Sequence, residues 1–200
     1  RDRDHKVHIG RVFAIIVEKN YELDINNPLR KMKGRVVFQG NMVKDENWDA
    51  AIFQEINSTP ATMPASKLCD FWGLLPGHTI QQADATQAYT QARLDGVDVT
   101  PTYVRLPPNA WGENGMPEKW RNLKDPCCRL LLALYGHPDA GGHWEKHCED
   151  HVKQQGFMQI PEWRSCFFHP ELKLMLCIHV DDFKLAGTIE AIEEGWRRLT

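Results

Sequence analysis

The 200-residue sequence lacks long hydrophobic runs, is not rich in proline or glycine, and holds no Cys-x-x-Cys pair. No stretch approaches the ~18 consecutive apolar residues of a membrane-spanning helix, so we expect no membrane partner. With 12 prolines, 14 glycines and 42% hydrophobic residues, the composition excludes a collagen-like or disordered chain. No apolar secretion signal follows the opening residues, and the first residue is not Met. We therefore interpret the chain as an internal piece of a longer intracellular protein.

The six cysteines are predicted to be reduced thiols, most of them in the core. They lie at positions 69, 127, 128, 148, 166 and 177, with one adjacent pair and no metal-binding spacing. Reduced thiols are the rule in intracellular proteins, where disulfides are rare.

Positive charge is concentrated at the start of the sequence. Residues 1–44 hold ten Lys and Arg against five Asp and Glu, although the whole chain carries a net charge of −3. A basic segment suits a polyanion partner such as nucleic acid. A charged surface that is merely solvated explains the same numbers equally well, so the charge alone leaves both interpretations open.

The hydrophobic pattern predicts a mixed α+β fold with antiparallel hairpins rather than alternating βαβ units. Apolar and β-branched segments predict strands at 7–17, 35–38, 79–84, 103–106, 165–168, 172–179 and 183–187. Helical periodicity predicts a helix over about 142–155, with Trp144, Cys148 and Val152 on one face. A final helix is expected after Thr188.

Two adjacent carboxylates at a predicted hairpin tip form the first candidate site. Asp181 and Asp182 follow the apolar run 172–180, and a bound divalent cation would relieve their repulsion. Asp84 ends another predicted strand, and carboxylates from two strands can hold two Mg²⁺ ions for phosphoryl transfer. Asp also favours turns through its own side-chain hydrogen bonds, so an exposed turn without function is the alternative.

These carboxylates belong to a series of motifs spread over roughly residues 10–198. Asp84 is followed five residues later by Tyr89, and the paired Asp181 and Asp182 are followed by an apolar strand ending in Ala-Gly. Further matches are Lys33–Gly40, Pro60–Ala61, Tyr103–Pro107, Cys128–Leu130, Leu134–Gly136 and Trp144. In this order and spacing, the motifs resemble the reverse transcriptase domain of copia-type long-terminal-repeat retrotransposons.

The resemblance implies the fingers and palm of a right-hand polymerase. Fingers are expected over 1–63 and 97–137, and a palm over 64–96 and 138–200, with helices packed behind an antiparallel palm sheet. The thumb of such a polymerase is absent here and would lie downstream of residue 200. The implied activity is template-directed DNA synthesis on primed RNA or DNA, from deoxynucleoside triphosphates. The family also implies a cytoplasmic particle or the nucleus as the location, and leaves the oligomeric state open.

The resemblance also implies a metal centre. Asp84, Asp181 and Asp182 would hold two Mg²⁺ ions, for which Mn²⁺ can substitute, and the main-chain carbonyl of Ala85 would add a ligand. Much of the catalysis in such transfers is positioning and charge neutralisation.

Four further residues are expected to meet the nucleic acid or the nucleotide. Tyr89 would lie under the sugar of the incoming nucleotide and exclude a 2′-hydroxyl, with a core aromatic as the alternative. Lys33 and Arg35 are candidates for phosphate contacts, with a solvated strand face as the alternative. His179, where the family usually has Tyr, would pack against the primer terminus.

Departures from the family pattern support one alternative function. Asp139 stands where the family usually has Gln, in a segment that normally contacts the incoming nucleotide, and Gly142 stands where Arg is common. These changes favour a catalytically silent, retroelement-derived module that still binds nucleic acid. A zinc-binding domain is the third hypothesis, because His143 and His147 lie four residues apart on one predicted helix, close to Cys148 and His151.

Overall fold

The computed structural model describes residues 6–53, 58–96, 98–107 and 123–200. In these residues the chain is a mixed α+β protein with three α-helices and two sheets, which confirms the coarse fold class. It divides into two compact units, the first from Arg1–Glu55 and Arg93–Ala140 and the second from Ile56–Ala92 and Gly141–Thr200. The sequence placed these breaks after residues 63, 96 and 137. The assignment of the units as fingers and palm stays a prediction.

Nine strands and three α-helices make up most of the regular structure of the described residues. In chain order they are β1 (His8–Lys19), β2 (Lys31–Phe38), α1 (Met63–Gly73), β3 (His78–Asp84), β4 (Thr102–Arg105), β5 (Cys127–Arg129), α2 (Ala140–Gln154), β6 (Met158–Gln159), β7 (Cys166–His169), β8 (Leu174–His179), β9 (Asp182–Thr188) and α3 (Ile189–Leu199). Short 3-10 helices lie at Gly40–Met42 and Ala88–Gln91. No helix in the described ranges is long and apolar enough to cross a membrane.

The first unit is built on a four-stranded sheet in the order β2-β1-β4-β5. β1 pairs antiparallel with β2 and parallel with β4, a parallel contact that the sequence pattern did not predict. Phe38, Val43 and Val104 form its small core. Gly136 has a φ of +85°, and a Cβ there would lie 2.2 Å from the Phe38 carbonyl oxygen, so the Tyr-Gly motif meets a steric need for glycine.

The second unit is built on an antiparallel five-stranded sheet in the order β3-β9-β8-β7-β6. α1 packs on one face, where the Cys177 thiol donates to the Ala65 carbonyl. α3 packs on the other face, where a Cβ on Gly195 would lie 2.5 Å from Leu174 Cδ1. Both faces of the sheet are apolar, so each face is covered by a helix.

The helices follow sequence signals that are local in character. Thr62 caps α1 by accepting a hydrogen bond from the Ala65 amide, and Pro64 lies in the first turn. On α2, the predicted apolar face of Trp144, Cys148 and Val152 is buried. α1 lies against β3, β8 and β9, strands of the sheet that carries the candidate site.

Candidate active site

A tight hairpin carries two of the predicted carboxylates. β8 and β9 pair up to His179 and Asp182, which leaves Val180 and Asp181 as a two-residue loop. Residues 174–178 are buried, whereas Asp182 is exposed and Asp181 half-buried. The buried strand therefore holds the hairpin rigidly and presents its acidic tip to solvent.

The end of β3 lies beside this hairpin tip. Asp84 is the direct cross-strand partner of Asp182, and the amide of Ala85 donates a 2.7 Å hydrogen bond to the carbonyl of Asp181. Hydrogen-bonded and non-hydrogen-bonded positions alternate along an antiparallel pair, so Asp84 and Asp182 occupy a non-hydrogen-bonded position. Opposing side chains approach most closely there, and like charges directly opposite each other are destabilising. The backbone thus brings all three predicted carboxylates to one end of two neighbouring strands.

Val180, at the hairpin tip, has an unusual backbone conformation. Its φ is +60°, in the left-handed region that β-branched residues avoid. Such strained residues persist only where the surroundings fix them, and they are concentrated at functional sites. The strain here supports a functional role for the hairpin.

Trp144 on α2 fixes that strained loop. Its Nε1 donates a 2.6 Å hydrogen bond to the Val180 carbonyl, and the side chain is only 5% exposed. The sequence pattern places Trp144 on the apolar face of α2, which indicates packing in the core but not this hydrogen bond. A buried indole N–H nearly always needs an acceptor, and this general rule was the available signal for its second role.

Two cavities flank the carboxylates. One of about 390 Å³ is lined by His179, Asp182 and Lys184, with Ser66 and Gln82. The other, of about 380 Å³, is lined by Asp84, Ala85 and Thr86 together with Trp144 and His147. Ligand cavities of this size are common in proteins, and both offer polar groups.

Lys184 is a site residue that the sequence analysis missed. It lies two residues after Asp182 on the same strand, so both side chains point to the same sheet face. Its Nζ donates to Ser66 Oγ at 2.7 Å and to Asp70 Oδ1 at 2.9 Å on α1. These bonds hold the Lys184 ammonium against α1, on the sheet face that also carries Asp182.

The other predicted residues of the second unit lie near the same strand ends. His179 is exposed and is the cross-strand partner of Asp182, so both side chains share a face. Tyr89 is half-buried in the 3-10 helix that follows β3. The turn between Asp84 and this helix includes Gln87 with a φ of +54°.

The remaining candidates lie in the first unit. Lys31, Lys33 and Arg35 alternate along β2 and so share one face, and Lys19 lies directly opposite Lys31. We call these four residues the basic face. Asp139, by contrast, is buried at 8% exposure, and its amide donates to His137 Nδ1 at 3.2 Å. A nucleotide contact by the Asp139 side chain would require it to become exposed.

Metal ligation can be tested on the donor atoms present. Hard carboxylate oxygens from Asp84, Asp181 and Asp182 suit Mg²⁺, which binds few carboxylates and completes its shell with phosphates and water. Over the described ranges, no three or more His, Cys, Asp or Glu side chains are already grouped to hold a metal ion. The same finding applies to α2, where His147 and His151 were considered as zinc ligands. A magnesium centre at the hairpin would therefore need side-chain reorientation and oxygen ligands from a substrate.

Comparison with known proteins adds no relative. No protein-family model, no curated protein and no solved structure matches this chain. The function must therefore be argued from the site itself.

Proposed function

We propose that this chain is the fingers and palm part of an RNA-directed DNA polymerase of the copia-type retrotransposon kind. The observation that carries the proposal is the pairing of Asp84 with Asp182 next to the strained Val180–Asp181 loop. A fold that opposes two carboxylates at a non-hydrogen-bonded position incurs repulsion unless a cation binds there. Bound cations are therefore the simplest reason for this arrangement.

In this function, Asp84, Asp181 and Asp182 would hold the two Mg²⁺ ions, and Mn²⁺ can substitute. When bound, such ions activate the primer 3′-hydroxyl and neutralise the charge of the triphosphate. The protein's own contribution is positional. Trp144 holds the loop through the Val180 carbonyl, and Lys184 offers a cation to phosphate on the same sheet face as Asp182.

The basic face supports a polyanionic partner independently. Lys19 and Lys31 lie directly opposite each other on β1 and β2, a like-charge pair that is also destabilising by itself. Phosphates would relieve this repulsion as cations would relieve the acidic one. The first unit thus carries a pair of opposed positive charges, which suits nucleic acid, and the second unit carries a pair of opposed negative charges, which suits metal ions.

Primer extension tests the polymerase. The chain is assayed on a primed homopolymer RNA with Mg²⁺ and the complementary deoxynucleoside triphosphate. We expect extension that Asp181→Asn and Asp84→Asn each abolish, while both variants keep the wild-type circular dichroism spectrum. Asp150→Asn, a matched change at an exposed residue of α2, should leave extension unchanged. Extension that survives Asp181→Asn would contradict the assignment.

A second function is favoured by the basic face, which does not depend on the carboxylates. A catalytically silent module would bind primed template through these cations and show no extension. Fluorescence anisotropy with labelled single-stranded RNA separates the two functions, because the silent module binds equally well with Asp181→Asn and without Mg²⁺. Binding that falls steeply with salt is expected in both cases.

A further inference from the structure

Two buried cysteines face each other across neighbouring strands of the second unit. Cys166 on β7 and Cys177 on β8 are direct cross-strand partners, and their sulfur atoms lie 3.7 Å apart. The Ile178 amide donates to the Ser165 carbonyl, which makes 165/178 a hydrogen-bonded position. The alternation of the ladder therefore places the two cysteines at a non-hydrogen-bonded position, where Cα atoms lie about 4.5 Å apart. A disulfide accepts Cα separations of about 4.4–6.8 Å.

We propose that Cys166 and Cys177 form a redox-responsive pair, which a peroxide converts into a cross-strand disulfide. The backbone already has the required separation, so a side-chain rotation is enough to close the 3.7 Å gap between the sulfur atoms. The bond would tie β7 to β8 two residues before His179, on the strand that carries the acidic hairpin. This inference does not depend on the proposed polymerase activity.

The structure distinguishes the roles of the two thiols. Cys177 lines the 390 Å³ cavity beside His179, whereas Cys166 is fully buried and lines neither flanking cavity. The hydrogen bond to Cys166 lowers the pKa of Cys177, but the one with Cys69 and burial outweigh it, and the pKa rises to about 12. The hydrogen bond with Cys177, followed by burial, raises the pKa of Cys166 as well. Because it lines the cavity, Cys177 is the thiol that a small oxidant meets first.

The chemistry is a two-step oxidation. The Cys177 thiol releases its proton, the thiolate attacks one oxygen of hydrogen peroxide, and the O–O bond breaks to give sulfenic acid and hydroxide. The hydroxide takes up the released proton and becomes the first water. The Cys166 thiol then displaces hydroxide from that sulfur, and its proton leaves with the hydroxide as a second water. Two thiols and one peroxide thus give one disulfide and two waters. Burial makes the first step slow, because only the thiolate reacts.

Cys69 is the competing partner. Cys69 belongs to the same buried cluster as Cys166 and Cys177. Its sulfur lies 3.7 Å from the backbone carbonyl oxygens of both Met175 and Lys184, to which the thiol donates. It belongs to α1 and is not a cross-strand partner of Cys177. A Cys69–Cys177 linkage is therefore an outcome that the test must be able to recognise.

Peptide mapping tests the proposal on the whole folded chain. After peroxide treatment, free thiols are alkylated under denaturing conditions and the protein is digested with trypsin. Cleavage after Arg164, Lys173 and Lys184 separates Cys166 and Cys177 onto peptides 165–173 and 174–184. We expect these two peptides to be joined, with the loss of two hydrogens, and to separate again after dithiothreitol.

Variants define the pair. Cys166→Ala and Cys177→Ala should each abolish the joined species, and Cys148→Ala, which changes another buried cysteine, should leave it intact. If a variant does not fold, the wild-type map still decides. A join between peptide 174–184 and the Cys69 peptide, or no join in the folded wild type, would overturn the assignment.

Discussion

Replacing Trp144 with Phe tests whether this residue positions the acidic hairpin or only fills the core. The change removes the Nε1–H that donates to the half-buried Val180 carbonyl at 2.6 Å. Leaving such an acceptor unpaired costs about 1–3 kcal/mol of unfolding free energy. For a chain of this size, each kcal/mol lowers the melting temperature by about 2–4 °C. We therefore expect Trp144→Phe to melt about 2–12 °C below the wild type in a calorimetric scan.

Trp72→Phe is the matched control. Trp72 also donates through Nε1 to a carbonyl, that of Lys173, at 3.1 Å, but this bond is exposed to solvent. Water can replace the lost donor there, so the melting temperature should fall less than in Trp144→Phe. Equal or larger destabilisation by Trp72→Phe would refute the argument.

Hydrogen exchange separates positioning from packing. The Ala85 amide bonds to the Asp181 carbonyl in the same loop, so its exchange reports whether the hairpin still sits against β3. We expect faster Ala85 exchange in Trp144→Phe and no change in Trp72→Phe. If Trp144→Phe melts lower but Ala85 exchange is unchanged, Trp144 is a core residue and nothing more.

Three further predictions follow from other residues. If Tyr89 limits sugar choice, Tyr89→Ala should raise the ratio of ribonucleotide to deoxyribonucleotide incorporation, and an unchanged ratio in an active variant assigns it to the core. Burial lowers the pKa of His8 below its ordinary value of 6.5. The stability that neutral His8 contributes is therefore full above pH 6.5 and is lost as the pH falls below 6.5. His8→Gln should flatten the resulting decline in melting temperature. If the basic face binds single-stranded phosphates, Lys31→Gln with Lys33→Gln should reduce the slope of log affinity against log salt by about 1.4, whereas Lys146→Gln should not.

The hairpin was predictable from the sequence because its signals are local. An apolar run, two turn-forming Asp residues and a second apolar run predict two paired strands with an acidic tip. The buried face of α2 was predictable for the same reason, since Trp144, Cys148 and Val152 recur at helical spacing. The helical and strand repeats of hydrophobic residues involve residues that are two to four positions apart, so they can be recognised directly in the sequence.

The pairing of strands that are distant in the sequence was not predictable in this way, and neither was the burial of individual polar side chains. The parallel contact of β1 with β4 depends on packing between distant segments, and so does the register that opposes Asp84 to Asp182. Asp139 lies in a segment that contacts the incoming nucleotide in the family that the sequence resembles, yet its side chain is buried and its amide donates to His137. The positive φ of Val180 has no sequence signal, since valine is among the residues least expected there.

The pairing of β3 with β9 has a consequence for how the protein folds. Asp84 and Asp182 are separated by about 100 residues, and the intervening chain includes the whole of Arg93–Ala140, which belongs to the other unit. Closing so long a loop carries an entropic cost that grows with length, and contacts between distant residues form slowly. The β8–β9 hairpin needs only two loop residues and can form early. The acidic end of the sheet should thus be among the last parts to assemble, so that a chain halted part-way through folding would hold Asp181 and Asp182 without their partner on β3.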